Sequence, residues 1–232
     1  MQEDILDLPQ ITFSFHQPLP KHEYLLVAGG RSPKDSWLKA SAAGRTLWCI
    51  DHGIDCCYAA RLLPEHLFGD GDSASPEAWH WAESQDVPIE KYQPEKDFTD
   101  TQLALQYASH DPDAMIVLTG CFGKRFDHFY STLFSCAYSR MPVCLADELE
   151  VLFPLPGGNA MTVSPVSAPL AVSLLPLTST CEGVCIDNVR WPLQDAELKQ
   201  SFPNAVSNVP ATGKPITVSL SSGILGVYLC WD

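Results

Sequence analysis

The segment most diagnostic of the fold class is Ala114-Met-Ile-Val-Leu-Thr-Gly-Cys-Phe-Gly-Lys-Arg-Phe-Asp-His128. Its first five residues form an unbroken apolar run, which is typical of a strand covered on both faces of a parallel sheet. A loop rich in glycine and basic residues follows, and we predict a helix over residues 128–139 with Asp127 as its cap. A glycine loop between a strand and a helix lets backbone amides approach an anion such as phosphate.

Similar apolar runs flank this stretch, with helix signals between them. Ser75 before Pro76 is a typical helix start, and Thr99 with Gln102 forms a capping-box pattern. We therefore predict an α/β N-terminal domain with a parallel, Rossmann-like sheet. Helices are expected over residues 77–82 and 103–107, and strands over residues 24–28, 46–50, 87–92 (a weaker signal), 114–118 and 142–145.

The pattern changes near residue 147, after which short strands alternate with turn residues and the helical pattern nearly vanishes. This alternation predicts an all-β sandwich. We place an α/β catalytic domain at residues 1–146 and a β-sandwich domain at residues 147–232. Residues 1–20 are interpreted as a possible extension, either partly disordered or an extra strand. Residues 195–200 are predicted to form a helical turn.

Composition narrows the class of partner. The net charge of -14 argues against nucleic acid or an anionic membrane as partner, since both require positive surface. It suits a cationic substrate or a metal complex, although acidity can also serve solubility alone. No apolar run reaches the roughly 18 residues of a membrane span, and the acidic N-terminus lacks signal-peptide features. We expect a cytoplasmic protein whose nine scattered cysteines form no disulfide framework.

Four aspartates occur in two tight pairs. Asp70 and Asp72 lie within residues 68–73, and Asp97 and Asp100 lie within residues 96–100. Carboxylates that share a site repel one another unless a cation neutralises them. Either pair alone is also compatible with a solvated turn or with acids at a helix start. Because Mg²⁺ prefers carboxylates, phosphates and water as ligands, we predict a divalent metal bound with a polyphosphate.

Several motifs are expected at one edge of the sheet. Gly29-Gly30, Asp51 and Thr119-Gly120 each follow an apolar strand. In an open parallel sheet the ligand crevice lies beyond the carboxyl ends of the strands. The sequence therefore predicts that these motifs converge on one cleft.

The order of these motifs resembles the thiamin pyrophosphokinase family from about Tyr24 to the C-terminus. The family has Asp-Gly-Gly, Gly-Asp-x-Asp-Ser, Lys-Asp-x-Thr-Asp and Gly-x-x-Gly-Gly-Arg-x-Asp-His in this order. Three residues, His52, Lys124 and Asn188, stand where the family usually has glycine. The matching segments are residues 51–53, 68–73, 96–100, 119–128, 188–193 and 207–208.

The resemblance implies the roles of individual residues. In the family, an aromatic residue in the position of Trp191 packs on the cationic thiamin across a dimer interface. The face of a tryptophan ring attracts such a cation. The alternative interpretation is that Trp191 belongs to the core of the β-sandwich. A packing or surface role is favoured for His52. The implied catalytic residues are Asp70, Asp72, Asp97, Asp100 and Asp127, of which the first four bind metal; the implied ATP-binding residues are Gly29, Asp51, Ser73, Lys96, Thr99, Gly120, Gly123, Lys124 and Arg125; and the implied thiamin-binding residues are Trp191, Ser207, Asn208, Asp127 and His128.

The resemblance also implies the reaction. The thiamin hydroxyl would attack the β-phosphorus of ATP in a Mg²⁺-dependent transfer that releases AMP, with Asp100 or Asp127 as the proton acceptor. A homodimer with thiamin at its interface is implied as well. Two alternatives stay open: a related diphosphokinase acting on another alcohol such as a hydroxymethyl pterin, and a non-catalytic sensor of thiamin or its diphosphate.

Overall fold

The computed structural model describes residues 4–91 and 98–231. These residues form two compact units, one of residues 20–147 and one that joins residues up to 19 with residues from 148 onwards. The strands in chain order are β1 (Asp4–Leu8), β2 (Ile11–Phe15), β3 (His22–Val27), β4 (Thr46–Ile50), β5 (His66–Phe68), β6 (Ile89–Glu90), β7 (Ala114–Thr119), β8 (Val143–Ala146), β9 (Glu150–Pro156), β10 (Asn159–Pro165), β11 (Ala171–Pro176), β12 (Thr180–Asp187), β13 (Leu193–Lys199), β14 (Ile216–Leu220) and β15 (Ile224–Cys230). The helices are α1 (Asp35–Ala42), α2 (Gly53–Ala60), α3 (Pro76–Ser84), α4 (Asp100–Ala108) and α5 (Phe126–Ala137).

The unit of residues 20–147 is built on parallel strands in the order β8-β7-β3-β4-β5-β6. Every residue of β7 is buried, as its continuous apolar run predicts. The register aligns the carboxyl ends of the strands, since Val27 pairs with both Cys49 and Thr119, and Ile50 pairs with Phe68. The loops that follow β3, β4, β5 and β7 therefore leave the sheet at the same edge.

The helix starts in this unit follow from local sequence. The Ser75 hydroxyl accepts a hydrogen bond from the amide of Ala78 before α3, and both hydrogen bonds of the Thr99–Gln102 capping box are formed before α4. The predicted cap of α5 is wrong. Arg125 is the N-cap residue there, and Asp127 lies inside the first turn.

The sequence pattern missed three elements of this unit. Strand β5 has only three residues, too few for a periodic signal. Helices α1 and α2 are eight residues long and have no side-chain cap, so neither carries the usual start signal. The weak strand expected at residues 87–92 is observed as the two-residue β6, and residues 92–97 lie outside the described part of the chain.

The other unit consists of antiparallel strands. One sheet has the order β1-β2-β10-β14-β12-β13, and β11, β15 and β9 are antiparallel neighbours. The ring of Phe153 on β9 lies 5.8 Å from that of Phe13 and 5.0 Å from that of Phe15. These rings join the N-terminal strands to the core of the unit.

Two expectations for this unit need correction. The assignment of residues 4–19 to the α/β domain is wrong, because β2 pairs with β10 and so belongs with the C-terminal strands. The helical turn at residues 195–200 is also wrong. That segment lies largely in β13, which pairs with β12 through an irregular register and bends at Asp195, where φ is 48°. The observed division after residue 147 falls one residue beyond the predicted one.

Within the described residues, none of the helices is long and apolar enough to cross a membrane. The nine cysteines are all free thiols, and Cys49, Cys57, Cys136, Cys144 and Cys181 are buried.

Candidate active site

The loops after β3 and β7 contact each other at the carboxyl edge of the sheet. The amide of Gly30 donates to the carbonyl of Gly120 at 2.5 Å, and the amide of Arg31 donates to the carbonyl of Phe122 at 2.7 Å. A side chain at Gly120, whose φ is 66°, would collide with the carbonyl oxygen of Ala28. Glycine is therefore required where the two backbones approach so closely.

A cavity of about 540 Å³ opens beside these loops, within the unit of residues 20–147. It draws its lining from five of the motifs that the sequence singled out. Ten predicted site residues line it: Gly29, Asp51, Ser73, Thr99, Asp100, Gly120, Gly123, Lys124, Arg125 and His128. The remaining lining residues are Ala28, Gly30, Ile50, His52, Thr101, Cys121, Phe122 and Thr132.

Asp51 occupies a strained turn directly after β4. Its φ is 50°, and its amide donates to the carbonyl of Phe68 at 2.7 Å. One carboxylate oxygen, Oδ2, accepts a hydrogen bond from the Ser73 hydroxyl. Among the described residues, no group donates to the other oxygen, Oδ1, which is buried. A buried carboxylate oxygen without a donor is costly, so this oxygen is suited to a cation.

Asp70 and Asp72 complete an acidic cluster with Asp51. One carboxylate oxygen from each of the three residues lies within 4.8 Å of the others. The negative charge of Asp70, followed by desolvation and the charge of Asp51, raises the pKa of Asp72. The cluster therefore repels its own charge, and a divalent cation would relieve that repulsion. The donor set fits a hard cation such as Mg²⁺.

The second predicted aspartate pair is only partly described. Asp97 and Lys96 lie outside the described residues. Asp100 is the first residue of α4, lines the cavity, and adds to the charge that raises the pKa of Asp72. The sequence placed Asp51 among nucleotide contacts; the structure places it in the acidic cluster.

Two of the three residues that replace family glycines, Lys124 and His52, are each accommodated by Gly29. Lys124 keeps a glycine-like backbone, with φ at 105°, and its Nζ donates to the carbonyl oxygen of Gly29 at 2.8 Å. A Cβ on Gly29 would lie 2.8 Å from the Cβ of His52, so the missing side chain makes room for the histidine. The Nδ1 of His52 lies 3.0 Å from the Ser73 carbonyl oxygen and from Oδ2 of Asp55. His52 therefore forms part of the cavity wall.

Arg125 and Asp127 form a two-point ion pair at the start of α5. Nε of Arg125 donates to Oδ1 of Asp127 at 3.1 Å, and Nη2 donates to Oδ2 at 2.5 Å. The hydrogen bond from Arg125 is the main cause that lowers the pKa of Asp127 to about 2; the amide of His128 also donates to Asp127. Both side chains are exposed, so solvent can compete for the pair. Arg125 and His128 line the cavity, and Asp127 is not among its lining residues.

The predicted thiamin contacts of the other unit gather around Trp191. The indole is 55% exposed, which rules out the alternative of a core tryptophan. The amide of Trp191 donates to Asn208 Oδ1 at 3.1 Å, and Asn208 Nδ2 donates to the Trp191 carbonyl at 2.7 Å. The Arg190 guanidinium lies 4.8 Å from the indole centroid. Ser207, with φ at 59°, is held by the hydroxyl of Ser173.

Some lining residues were missed by sequence reasoning. Thr132 follows His128 by four residues on α5, and this helical spacing could have identified it. Thr101 follows Asp100 on the first turn of α4. Cys121 and Phe122 are the variable residues of the glycine loop, and only the fold places them at the cavity.

Comparisons with known proteins agree with this arrangement. Residues 38–145 match the family model described as thiamin pyrophosphokinase, catalytic domain, and residues 168–225 match thiamin pyrophosphokinase, vitamin B1 binding domain. A curated relative, thiamine pyrophosphokinase of Bacillus subtilis (strain 168), is 26% identical over 204 residues, or 86% of this chain and 94% of the relative.

Solved structures share the fold. The crystal structure of thiamine pyrophosphokinase from Bacillus subtilis superposes with a TM-score of 0.80 at 21% identity, covering 90% of this chain and 99% of that one. Thiamin pyrophosphokinase from Candida albicans gives 0.75 at 16% identity and covers 99% of both chains. The two family models together span most of the chain, in the order that its motifs predict. The chain therefore belongs to the thiamin pyrophosphokinase family.

Proposed function

We propose that this protein transfers the diphosphoryl group of ATP to the hydroxyl group of thiamin, giving thiamin diphosphate and AMP. The observation that carries the proposal is one cavity, lined by the glycine loop of residues 120–125 and by Asp51 of the acidic cluster. An anion site beside a cation site suits a metal-bound polyphosphate. We further interpret residues 20–147 as a Rossmann-like catalytic domain and the antiparallel unit as a thiamin-binding sandwich.

The glycine loop would hold the phosphates of ATP. Its backbone approaches the cavity at Gly120 and Gly123, and helix α5 begins directly after the loop, so that the helix N-terminus favours an anion there. Arg125 can bind phosphate oxygens through two parallel hydrogen bonds once it exchanges Asp127 for the nucleotide. Lys124 brings a second positive charge to the same edge of the cavity.

Asp51, Asp70 and Asp72 would hold Mg²⁺, and Asp97 and Asp100 are proposed to join them. The orphaned oxygen of Asp51 and the raised pKa of Asp72 both favour a cation there. A Mg²⁺ ion held by these residues would supply positive charge to neutralise phosphate oxygens. The aspartates themselves fix the position of that charge beside the glycine loop.

Asp100 is the better candidate for accepting the proton of the thiamin hydroxyl. Asp100 lines the cavity, whereas Asp127 is not among the lining residues. The proton would move from the hydroxyl oxygen to a carboxylate oxygen of Asp100, while Asp127 holds Arg125 until nucleotide binds.

Trp191 would pack on the thiamin rings. Its exposed face and its backbone clamp by Asn208 favour a fixed aromatic platform for a cationic ligand. Ser207, Asn208, Asp127 and His128 are proposed as further thiamin contacts. A homodimer with thiamin at its interface and a cytoplasmic location stay predictions from the sequence. No observation on the described residues favours the pterin diphosphokinase or the sensor.

Product analysis tests the proposal. The purified chain is incubated with thiamin, ATP and Mg²⁺, with and without a chelator, and thiamin species and nucleotides are separated by chromatography. Equal amounts of thiamin diphosphate and AMP, abolished by the chelator, are expected. Thiamin monophosphate with ADP would show attack at the γ-phosphorus and refute the proposal. Thiamin binding without any product would identify a sensor.

A further inference from the structure

Arg31 directly follows the Gly29-Gly30 turn, and its side chain pairs with the buried carboxylate of Asp147. Its Nε and Nη2 donate to Oδ2 of Asp147 at 2.9 and 2.6 Å. The Asp147 side chain is fully buried, and that of Arg31 is 31% exposed. A buried carboxylate is stable only when it is paired, so Asp147 anchors Arg31 firmly. The two residues are 116 positions apart in sequence and connect the loop after β3 to the end of β8.

Arg31 also contacts the glycine loop in three ways. Its amide donates to the carbonyl of Phe122 at 2.7 Å. Its guanidinium lies 5.9 Å from the centroid of the Phe122 ring. A Cβ added to Gly123 would lie 3.1 Å from the Cβ of Arg31, so the arginine side chain starts directly beside this glycine. Phe122 in turn packs on Phe129 of α5 at 5.4 Å. Arg31 therefore bonds to the backbone of the loop, lies beside the buried Phe122 ring and limits the space next to Gly123.

We propose that Arg31, anchored by Asp147, is a positioning residue that holds the glycine loop of residues 120–125 in the conformation that receives the ATP phosphates. The inference rests on the proposed nucleotide-binding role of this loop. Arg31 acts through Phe122 and Gly123 and need not touch the nucleotide. Asp147 prevents the arginine from turning away from the loop.

The ion pair of Arg45 with Glu23, at the amino ends of strands β3 and β4, is a matched control. Arg45, directly before β4, donates from Nε and Nη2 to Oε2 of Glu23 at 2.8 and 2.7 Å, and its side chain is 8% exposed. Loss of either arginine removes a shielded ion pair from the same unit. The hydrogen bonds described for Arg45 go to Glu23 and to the carbonyl oxygen of Ser41, whereas the contacts described for Arg31 include the loop of the cavity.

The experiment compares Arg31→Met, Arg31→Lys, Asp147→Asn and Arg45→Met with wild type. ATP binding is measured by calorimetry with Mg²⁺, the KM values for ATP and thiamin are measured separately, and each Tm is recorded. Arg31→Met and Asp147→Asn should weaken ATP binding about tenfold or more, because small misplacements at such sites have large effects. Lysine keeps the charge without the planar fork and should recover part of the binding. The KM for thiamin should stay within about twofold throughout.

The control separates positioning from stability. Arg45→Met should lower Tm as Arg31→Met does and leave ATP binding at the wild-type value. Equal ATP affinity in folded Arg31→Met and wild type would overturn the inference, as would equal losses in both arginine variants. If Arg31→Met does not fold, the double variant Arg31→Met/Asp147→Leu takes its place, because it also removes the unpaired Asp147 carboxylate. Its ATP affinity is then compared with that of wild type and Arg45→Met.

Different outcomes would refute the proposed activity and the proposed positioning role of Arg31. Wild type that binds ATP but makes no thiamin diphosphate would refute the proposed activity, and the binding comparison would still decide the role of Arg31. Wild type that makes product, with an Arg31→Met variant of unchanged ATP affinity, would refute the positioning role alone. Wild type that does not bind ATP would overturn both.

Discussion

The Nζ of Lys124 donates a hydrogen bond of 2.8 Å to the carbonyl oxygen of Gly29, and this bond ties the glycine loop to the turn after β3. The lysine does so from a backbone φ of 105°, a conformation that L-residues rarely adopt. The family usually has glycine at this position. The chain therefore combines a strained backbone with a cation at the edge of the cavity.

Replacing Lys124 separates these two effects. Lys124→Gly relieves a backbone strain of about 1–3 kcal/mol and removes the cation, so it should raise Tm while weakening ATP binding. Lys124→Met keeps the strain and should weaken ATP binding without raising Tm. Thermal unfolding and ATP titration check both variants. Full ATP affinity in both would show that the ammonium contributes nothing to the nucleotide site.

The Arg125–Asp127 pair should appear in the pH dependence of stability. The pKa of Asp127 is lowered from 3.8 to about 2, so the pair stabilises the fold above the ordinary pKa and loses that contribution as pH falls to about 2. The effect should be small, since both groups are exposed. In Arg125→Gln, NMR titration should show the pKa of Asp127 returning towards its ordinary value. An unchanged titration would mean that Arg125 does not pair with Asp127 in solution.

Magnesium should stabilise the protein through the acidic cluster. Because the pKa of Asp72 is raised in the fold, protonated Asp72 contributes to the stability of the metal-free protein at low pH. This contribution is lost as pH rises from the ordinary carboxyl pKa through the raised one. Mg²⁺ should therefore raise Tm at neutral pH, by mass action. Asp72→Asn should reduce this increase and stabilise the metal-free protein.

The control for the cluster is Asp86→Asn. Asp86 is exposed, and asparagine tolerates its φ of 55°, so the variant removes one charge without disturbing the backbone. It should respond to Mg²⁺ as wild type does. A Mg²⁺-induced Tm increase of equal size in Asp72→Asn and Asp86→Asn would contradict the metal site.

The capping box should stabilise α4 and hold Asp100 in place. Thr99→Ala removes the hydroxyl that accepts from the amide of Gln102 at 3.2 Å, and should cost about 1 kcal/mol of unfolding free energy. Thr99→Ser retains the hydroxyl and should behave as wild type. Urea unfolding and product formation check both variants. Wild-type activity in a destabilised Thr99→Ala would show that the cap does not position Asp100.

Trp191 should control thiamin affinity. Trp191→Ala should weaken thiamin binding by about 2- to 30-fold, the range of a cation–π contact, and Trp191→Phe should weaken it less. Phe202→Ala is the matched control, because Phe202 is an exposed aromatic side chain of the same unit. Thiamin titration by calorimetry measures all three. Equal effects of the Trp191→Ala and Phe202→Ala changes would contradict the proposed platform.

Features that depend on neighbours in sequence could be predicted directly. The buried strand at residues 114–119 follows from its apolar run, and the start of α4 follows from Thr99 and Gln102. The convergence of Gly29, Asp51 and Gly120 on one cavity could also be anticipated, because parallel strands end at the same edge. The cap of α5 failed as a prediction because Arg125 and Asp127 pair with each other at that helix start.

The family, the alternating α/β pattern and most motifs that reach the cavity could be predicted from local sequence, because apolar periodicity, capping and motif order depend on consecutive residues. Three relationships become visible only in the folded chain: Asp51 joins Asp70 and Asp72, Arg31 pairs with Asp147, and the first two strands belong with the C-terminal ones. These relationships depend on strand register and on contacts between residues far apart in the chain. Local sequence carries no signal for them.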